Sequence, residues 1–549
     1  MFSNFQFHEN HKRVRKRFRV LACVLTLCLA LTPVSAAEIY VNGEDGVLPT
    51  GIGEAYAIGG SGEISRIAQS PANVISASGI QTVGESLANP YPPPTVSVTS
   101  LNVGLLYNTS TVSAVGLSAV VGSGYKFGFY DANLVYYEVG STAETGITVL
   151  KDMNVSLSGG AVGAFHIRLP NTYASYAAAL EAAGAYPDAF PAYYAGIYYV
   201  LVGQYANTAE ANAAAQSRSI AGEGYSASGR AITVVKSGTN RILFEFDYGD
   251  TFNFAVRPVA NSGKPETLLQ KFAGGTDYKY FGDFTFYRLD GNNMTVTNLL
   301  SIEDYIRGVV PYEMSSSWPI EALKAQAICA RTYAIVNMNK HRAYGFNVCA
   351  TVDCQAYLGT LRATEHTDLA CSSTVGRYVS YQGQLCSTLY SSSNGGASED
   401  SENVFLTALP YCRGKIDPYE AAIEFPNKSW SQQLTAGAIR DKLINRGYSI
   451  GTIVAIAPTY TRVGNMNSLT FTDNNGRSVT ITKDQCRTVM GLNSINYRIS
   501  QLQDGSYWVE GGGWGHNVGM SQWGAYSMAL VYGKTAEEIL KFYYTGVSV

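Results

Sequence analysis

Short apolar runs separated by turn residues dominate the first half of the chain, a pattern typical of β structure. Runs at 103–107, 125–130 and 147–150 predict a small β-rich module over residues 99–158. The preceding segment, 37–98, is rich in Gly, Ser and Ala, has no sustained period and ends in a proline cluster. Because proline-rich stretches act as extended spacers, we interpret this segment as a low-complexity linker.

The apolar spacing changes over 160–237, where strand-like and helix-like segments alternate. The predicted strands lie at 165–169, 197–203 and 231–235, and the predicted helices lie at 173–184, capped by Thr172, and at 208–217. This alternation predicts a small α/β domain. The run Tyr-Tyr-Val-Leu-Val-Gly-Gln-Tyr at 198–205, followed by an Ala-rich helix, resembles the SPOR domain. The resemblance implies binding of peptidoglycan strands stripped of their stem peptides, and a generic βαβ fold is the alternative.

From 240 to 549 strand-like runs surround one long helical pattern. The predicted strands lie at 242–248, 284–289 and 294–298. A helix is predicted from about 319 to 341, with Ser317 as its cap, and alanines spaced along it keep it slim enough for close packing. We therefore predict an α+β, multidomain chain with a β-rich N-terminal module, a small α/β domain and a mixed α+β C-terminal domain.

The composition favours a folded protein that binds neutral polymers. Of the 549 residues, 46% are hydrophobic and only 15% are charged, while Gly (55) and Tyr (39) are abundant. A tyrosine-rich surface with little charge suits sugars, and a net charge of −3 argues against nucleic acid as the partner.

The N-terminus has the organisation of a secretory signal. Six Lys and Arg residues within 12–19 precede an apolar run at 20–31 and small residues at 34–37. We predict a signal peptide over 1–36 and a secreted or cell-wall-associated protein. The alternative is an uncleaved membrane anchor, although the run is well short of the ~20 residues that span a bilayer. Loss of this segment removes six basic residues and one acidic residue, which changes the net charge from −3 to −8.

The cysteines do not form a complete disulfide set. Two of the nine lie in the predicted signal, and the other seven lie beyond residue 328. An odd number in an exported chain leaves at least one thiol unpaired. The N-terminal half is therefore expected to fold without disulfide bonds.

Glu313 is the carboxylate that stands out for chemistry. It lies between Tyr312 and Met314, just before the predicted long helix. Apolar neighbours desolvate a carboxyl group and raise its pKa, as a general acid requires. A solvated surface charge in a loop is the alternative interpretation of a single Glu.

Two polar, glycine-containing segments are candidate substrate-binding loops. Their candidate residues are Ser391, Ser392, Ser393, Asn394, Gly395 and Gly396 in the first, and Trp514, His516, Gly519, Met520, Ser521 and Gln522 in the second. Glycine lets backbone approach a ligand closely. Trp514 offers a flat face to a sugar ring, and His516, Ser521 and Gln522 supply hydrogen bonds. Tight turn packing is the alternative role for both segments.

These blocks, together with Ala-Gln-Ala…Ala-Arg-Thr-Tyr-Ala at 325–334 and Cys354-Gln355, resemble the SpoIID/LytB family, the group of stage II sporulation protein D. The resemblance spans about 290–410 and 505–549. It implies a catalytic domain over 240–549 and a lytic transglycosylase, which cuts glycan between N-acetylmuramic acid and N-acetylglucosamine and leaves a 1,6-anhydro end. The family's catalytic glutamate falls on Glu313.

One glutamate is sufficient for that reaction. Ordinary glycosidases use two carboxylates roughly 5–9.5 Å apart. In transglycosylation a single Glu acts first as acid and then as base, and the 6-hydroxyl of the sugar replaces the water nucleophile. Candidates for a second acid are Glu399, Asp400 and Asp417, which we interpret as structural.

The resemblance also implies a structural zinc site, because some family members bind zinc beside the active site. The matching residues are His341, Cys349, Asp353 and Cys354, a workable tetrahedral set in which Asp353 stands where zinc-binding relatives have His. A Cys349–Cys354 disulfide or two free thiols are the alternatives. The metal would hold the loop near Glu313 rather than take part in the reaction.

The leading hypothesis is an exported murein-cleaving enzyme that acts on glycan strands denuded of stem peptides, in sporulation or wall remodelling. A second is a non-catalytic enhancer of a partner amidase or autolysin, a description given to some family members. A third is a purely structural wall-binding protein, against which the intact Glu313 and His516 blocks argue.

Overall fold

The computed structural model describes residues 94–271 and 276–549, together with the paired short strands Tyr56–Ile58 and Ile64–Arg66. The predicted signal peptide and most of the predicted linker lie outside the described residues. Within the described ranges, no helix combines the length and apolarity needed to cross a bilayer. Several sheets and helices alternate along the chain, which confirms the predicted α+β class.

A seven-stranded sheet joins strands from both sides of the 160–237 segment. In spatial order its strands are Val348–Cys349, Ser100–Leu106, Thr295–Ser301, Asp283–Tyr287, Phe254–Pro258, Tyr125–Tyr130 and Tyr136–Thr142. Neighbours are antiparallel except for the first pair, which is parallel. Since strands from 99–158 pair with strands beyond 240, these two parts of the chain share a sheet.

A ten-stranded sheet packs against the first one. In spatial order its strands are Glu223–Tyr225, Phe165–Arg168, Ile197–Tyr205, Ala189–Tyr194, Ile242–Asp247, Ile232–Lys236, Gly146–Lys151, Ala114–Val121, Glu266–Gln270 and Tyr278–Tyr280. Phe127 of the seven-stranded sheet stacks on Phe244 of the ten-stranded sheet with 5.3 Å between ring centroids, and both are fully buried. Aromatic packing between the sheets therefore forms the core of the first half.

The first four strands of the ten-stranded sheet and two helices form a split βαβ unit. Helices α1 (Tyr176–Ala183) and α2 (Thr208–Ser217) follow the first and third strands along the chain, and the spatial order is fourth, first, third, second, all antiparallel. This is the ferredoxin-like arrangement. The topology does not test the SPOR assignment, which stays a prediction.

Three details of this unit differ from the sequence prediction. The strand Ala189–Tyr194 was not predicted, and Ser175 rather than Thr172 caps α1. The strand predicted at 231–235 is Ile232–Lys236, which pairs with Gly146–Lys151 and Ile242–Asp247 outside the unit. A run of β-branched residues identifies a strand, but it does not say which neighbour the strand will pair with.

Seven α-helices lie in the described range 276–549: α3 (Ile302–Glu313), α4 (Ile320–Val336), α5 (Glu365–Ser372), α6 (Ala436–Ile444), α7 (Gln485–Thr488), α8 (Gln522–Leu530) and α9 (Ala536–Tyr543). The predicted slim helix is α4, whose alanines are buried as expected. Its start at Ile320 follows Pro319 without a side-chain cap from Ser317, and it ends at Val336, before the predicted 341.

Residues 429–512 form a separate lobe with its own hydrophobic core. One three-stranded sheet has the order Ser429–Leu434, Tyr507–Gly512, Tyr497–Gln501, and the other has the order Ile453–Tyr460, Met466–Asp473, Ser478–Thr482. Helices α6 and α7 pack with them around residues such as Leu469 and Phe471. The lobe separates the two predicted binding loops along the chain.

Within 94–271 and 276–549 three more short strand pairs occur: Val155–Leu157 with Gly160–Val162, Ser380–Tyr381 with Gln384–Leu385, and Tyr390–Ser391 with Met520–Ser521. The last pair is parallel and joins the two polar segments, although about 130 residues of chain lie between them. It brings both segments beside α3.

Candidate active site

Glu313 is the last residue of α3 rather than part of a loop. Ser301 caps the start of the helix through the Asp304 amide, and the helix ends at Met314, whose backbone is extended. Gly308 and Pro311 lie inside α3, which is why the sequence predicted no helix here. The helix end places Glu313 in the wall of a cleft of about 500 Å³, lined on one side by 311–316 and on the other by 361–364.

Three donors hold the Glu313 carboxyl group. The Ala356 amide donates to Oε1 at 2.9 Å, and the Gln522 side-chain amide donates to Oε2 at 3.2 Å. The Tyr390 hydroxyl is the third. Burial raises the pKa of Glu313, and the three hydrogen bonds partly offset that effect. No second carboxylate is among the groups that shift this pKa.

A buried polar chain fixes two of those donors. The single hydroxyl proton of Tyr390 goes either to Glu313 or to Gln355 Oε1, which lies 2.8 Å from the Tyr390 oxygen. Gln355 Nε2 donates to the Tyr305 hydroxyl at 3.1 Å and to the Ala330 carbonyl at 3.2 Å. Gln355 and Tyr305 are almost entirely buried. Satisfied buried networks are rigid, so this one holds the segment that carries the Ala356 amide. The predicted site did not include Tyr390, Tyr305 or Gln355, although Cys354-Gln355 was part of the recognised motif.

The four predicted metal ligands meet at one point. One ligand atom from each of His341, Cys349, Asp353 and Cys354 lies within 4.8 Å of the others. Cys354 Sγ is 3.3 Å from His341 Nε2, and His341 Nε2 is 3.3 Å from Asp353 Oδ2. Lys340 Nζ engages the other Asp353 oxygen at 3.1 Å.

The chemistry of this group fits a zinc ion. Both thiols are free, so the disulfide alternative is not formed among the described cysteines. Hydrogen bonding between the thiols lowers the pKa of Cys349 and raises that of Cys354. Two sulfurs, one imidazole and one carboxylate match the donors that tetrahedral zinc takes, and ligation would deprotonate both thiols.

The first polar segment is held from behind by two buried acids. Ser393 Oγ and the Asn394 and Gly395 amides donate to the Glu420 carboxylate at 2.7, 2.9 and 3.0 Å. Asn394 Nδ2 donates to Asp417 Oδ2 at 2.7 Å. Nothing in the sequence around Glu420 indicated this role. Ser393 and Asn394 are buried, so they shape the loop rather than face a ligand.

Ser391, Ser392 and the two glycines lie in the same segment, where the Gly396 amide donates to Asn394 Oδ1 at 2.9 Å. Ser391 pairs with Ser521, and the Ser392 carbonyl accepts from the Trp523 amide at 3.0 Å. The Gly395 backbone has a φ of 65°, and a Cβ there would lie 2.4 Å from the Gly512 carbonyl oxygen. Close backbone packing therefore requires glycine at Gly395.

In the second polar segment, some residues hold the fold together and one contacts Glu313. Ser521 caps α8 and donates to Glu420, buried Met520 pairs with Tyr390, and a Cβ on Gly519 would lie 2.0 Å from the Leu389 carbonyl oxygen. Gln522 is the one residue of this group that hydrogen-bonds Glu313 in the described structure.

Trp514 and His516 lie apart from the Glu313 contacts. The Trp514 side chain is half exposed, and its backbone bridges Ser393. Burial lowers the pKa of His516 to about 4, and its Nδ1 accepts from the Val518 amide at 3.1 Å. A neutral, backbone-bonded imidazole packs against Phe405. Its geometry supports a structural role more strongly than proton transfer.

The three candidate second acids are buried and hydrogen-bonded elsewhere. Glu399 accepts from Thr461 and Asn465 at 2.7 and 3.0 Å, Asp400 accepts from the Gly414 amide at 2.8 Å, and Asp417 accepts from the Tyr543 hydroxyl at 2.6 Å. These contacts agree with the structural roles we gave them.

Comparison with known proteins identifies a matching family and several relatives. The model of the stage II sporulation protein family (SpoIID) matches residues 290–381. An uncharacterized protein of Brachyspira hyodysenteriae is 36% identical over 280 residues, which are 49% of this chain and 72% of the relative. Stage II sporulation protein D of Bacillus subtilis is 31% identical over 278 residues, 47% of this chain and 76% of the relative.

A further relative carries a different description. The amidase enhancer of Bacillus subtilis is 28% identical over 289 residues, which are 44% of this chain and 40% of the enhancer. The family-model match, which includes Glu313, and the identities to these relatives agree on one assignment: the chain belongs to the SpoIID/LytB family of stage II sporulation protein D.

Proposed function

We propose that this protein is a peptidoglycan lytic transglycosylase with Glu313 as its acid and base. The observation that carries the proposal is a carboxyl group that lines an open cleft yet is desolvated enough for its pKa to be raised. A raised pKa keeps part of the population protonated at higher pH, as proton donation to a leaving group requires.

The reaction needs one carboxyl group in two protonation states. Glu313 donates its proton to the bridging oxygen as the bond from that oxygen to the anomeric carbon of N-acetylmuramic acid breaks. The sugar's 6-hydroxyl oxygen then bonds to the anomeric carbon, and its proton passes to the Glu313 carboxylate. Atoms and charge balance without water, and the site regains its starting state.

The three donors to Glu313 suit this cycle. After the first proton transfer the carboxylate is charged, and the hydrogen bonds from Ala356, Gln522 and Tyr390 stabilise it. Before the transfer they hold the carboxyl group at the cleft wall. A zinc ion would stabilise the loop that carries the Ala356 amide, and its ligands would be His341, Cys349, Asp353 and Cys354.

Peptidoglycan strands denuded of stem peptides are the proposed substrate. The split βαβ unit would bind them as a SPOR-like module and raise their local concentration for the Glu313 cleft. Its sheet face opposite α1 and α2 carries Tyr199 and Tyr225 with the Arg168 guanidinium over their rings, at 5.5 and 4.1 Å from the centroids. Export through the N-terminal signal would deliver the protein to the wall, in sporulation or in wall remodelling.

A second function is favoured by one relative, which is described as an amidase enhancer. In that case the cleft would hold glycan without cutting it, and the partner would be an amidase. The two functions separate in one experiment: purified protein is incubated with denuded glycan, with and without an added amidase. Cleavage by the protein alone supports the transglycosylase, and stimulation of the amidase without cleavage supports the enhancer.

A further inference from the structure

Three titratable side chains converge in the ten-stranded sheet, far along the chain from Glu313. Asp152 follows the strand Gly146–Lys151, His166 lies in Phe165–Arg168, and Glu245 lies in Ile242–Asp247. One potential ligand atom from each lies within 4.8 Å of the other two. His166 and Glu245 are fully buried and Asp152 is 7% exposed.

The hydrogen bond of His166 determines what its other nitrogen offers. Nδ1 is 2.7 Å from the Gly203 carbonyl oxygen, which can only accept, so Nδ1 carries the proton. In the neutral ring Nε2 then presents a lone pair, and it lies 3.2 Å from Glu245 Oε2. Neither atom has a hydrogen-bond partner within the described ranges. Two buried lone pairs facing each other need a cation or a proton between them.

The two carboxylates are oriented in the same way. Glu245 Oε1 accepts from the Tyr194 hydroxyl at 2.5 Å, which leaves Oε2 for the centre of the cluster. Asp152 Oδ1 accepts from Thr233 Oγ1 at 3.2 Å. Arg288 donates to the Asp152 backbone carbonyl, not to its carboxylate. Metal-binding His and carboxylates are held in this way, by a carbonyl on the far ring nitrogen and a hydroxyl on one carboxylate oxygen.

We propose that Asp152, His166 and Glu245 bind one divalent transition-metal ion. One imidazole and two carboxylates are ligands that Zn²⁺ and Mn²⁺ both accept. With a neutral His166 the ion would balance the two buried carboxylates. Since His166 belongs to the split βαβ unit and the two acids belong to the rest of the sheet, the ion would fasten that unit to the sandwich.

The test removes the thiol-containing site first. The full chain with Cys349→Ser and Cys354→Ser is loaded with Zn²⁺ or Mn²⁺, freed of loosely bound metal and analysed for metal content. We expect about one equivalent to remain, and a chelator to lower the thermal midpoint. Adding Glu245→Gln should cut retained metal at least ten-fold and abolish the chelator effect. Glu223→Gln, an exposed acid on the neighbouring strand, is the matched control and should retain the metal.

Two further readouts cover variants that fail to fold. If Glu245→Gln fails to fold, Asp152→Asn replaces it as the variant. In addition, wild-type protein should hold about two equivalents of metal, and with Co²⁺ as the probe one of the two bound ions should lack the absorption of a cobalt–thiolate bond. A folded Cys349→Ser/Cys354→Ser protein that retains neither Zn²⁺ nor Mn²⁺ would overturn the proposal. Nitrogen NMR would then show both His166 ring nitrogens protonated, as in a buried imidazolium ion pair.

Discussion

The backbone amide of Ala356 donates a hydrogen bond of 2.9 Å to Glu313 Oε1. Ala356 lies two residues after Cys354, one of the four residues of the proposed zinc site, and one residue after Gln355, which is anchored to Tyr305 and Tyr390. A change in the 349–356 loop therefore reaches the proposed catalytic carboxyl group through the Ala356 amide and through the contact of Gln355 with Tyr390.

Cys354→Ser should release the loop. We expect zinc content to fall by about one equivalent, the thermal midpoint to drop, and cleavage to fall roughly 10–100-fold, as for other groups that orient an active site indirectly. Metal analysis, calorimetry and a glycan cleavage assay measure the three effects. Cys486→Ser, in the separate core of the 429–512 lobe, is the control and should keep its zinc. Active wild-type protein that shows a Cys349–Cys354 disulfide in a non-reducing peptide map would contradict the zinc site.

Glu313→Gln should abolish catalysis while the fold is kept. The amide matches the carboxyl group in shape but can neither give nor take the proton, so we expect cleavage to fall at least ~100-fold. Glu424→Gln changes an exposed glutamate and is expected to leave the rate unchanged. Substantial cleavage by the Glu313→Gln protein would rule out the single-glutamate mechanism.

Glu313→Gln, which should abolish catalysis, should stabilise the folded protein at high pH. The pKa of Glu313 is raised in the folded state, so the folded protein binds more protons than the unfolded chain between the unfolded pKa and the folded pKa. Wild-type stability therefore falls as pH rises through this window, and above it the ionised, buried carboxylate costs stability. Urea unfolding should show Glu313→Gln gaining stability relative to wild type as pH rises. A constant difference across pH would show that burial does not shift this pKa.

The donors to Glu313 should set the alkaline limb of the pH–rate profile. Activity needs the protonated acid, so kcat/KM falls as pH rises through the Glu313 pKa. Gln522 and Tyr390 lower that pKa, hence Gln522→Met and Tyr390→Phe should move the limb to higher pH while lowering the maximum rate. Trp514→Phe, outside these contacts, serves as the comparison. If the alkaline limb stays at the same pH in both donor variants, the group that titrates there is not Glu313.

Binding to the wall should depend on the sheet face of the split βαβ unit. Deleting 160–237 would strip the strand Ile242–Asp247 of its neighbour Ala189–Tyr194, so point variants are the better test. Tyr199→Ala should weaken binding to denuded sacculi roughly five-fold through loss of about 1 kcal/mol of ring contact, with little dependence on salt. Leu180→Ser, exposed on α1 at the opposite face, should bind normally. Equal binding by both variants would remove the SPOR-like role.

The sequence predicted the fold class, one helix and the convergence of the proposed metal ligands better than it predicted which strands pair. The α+β class, the slim helix α4 and the convergence of His341, Cys349, Asp353 and Cys354 follow from local pattern and motif. The pairing of strands from 99–158 with strands beyond 240 does not, because strand pairing is decided by packing between distant segments. Helix α3 was missed because Gly308 and Pro311 are poor helix formers in isolation, and tertiary burial overrides that preference.

The binding loops show a second limit of the sequence. Ser393, Asn394 and Ser521 were predicted to face a ligand, yet they donate inward to Glu420 and Asp417. A small polar residue can hydrogen-bond a ligand or a buried group behind the loop. Which of the two it does depends on where the buried acids lie, and the sequence does not show that. Gln522 alone of the predicted binding residues reaches Glu313.

The most direct test of the central claim is mass spectrometry of the products from denuded glycan cleaved in ¹⁸O-labelled water. We expect fragments that end in 1,6-anhydro-N-acetylmuramic acid, are one water lighter than hydrolytic products and carry no ¹⁸O at the new end. Reducing ends that incorporate ¹⁸O from the solvent would show that water is the nucleophile and would contradict that claim.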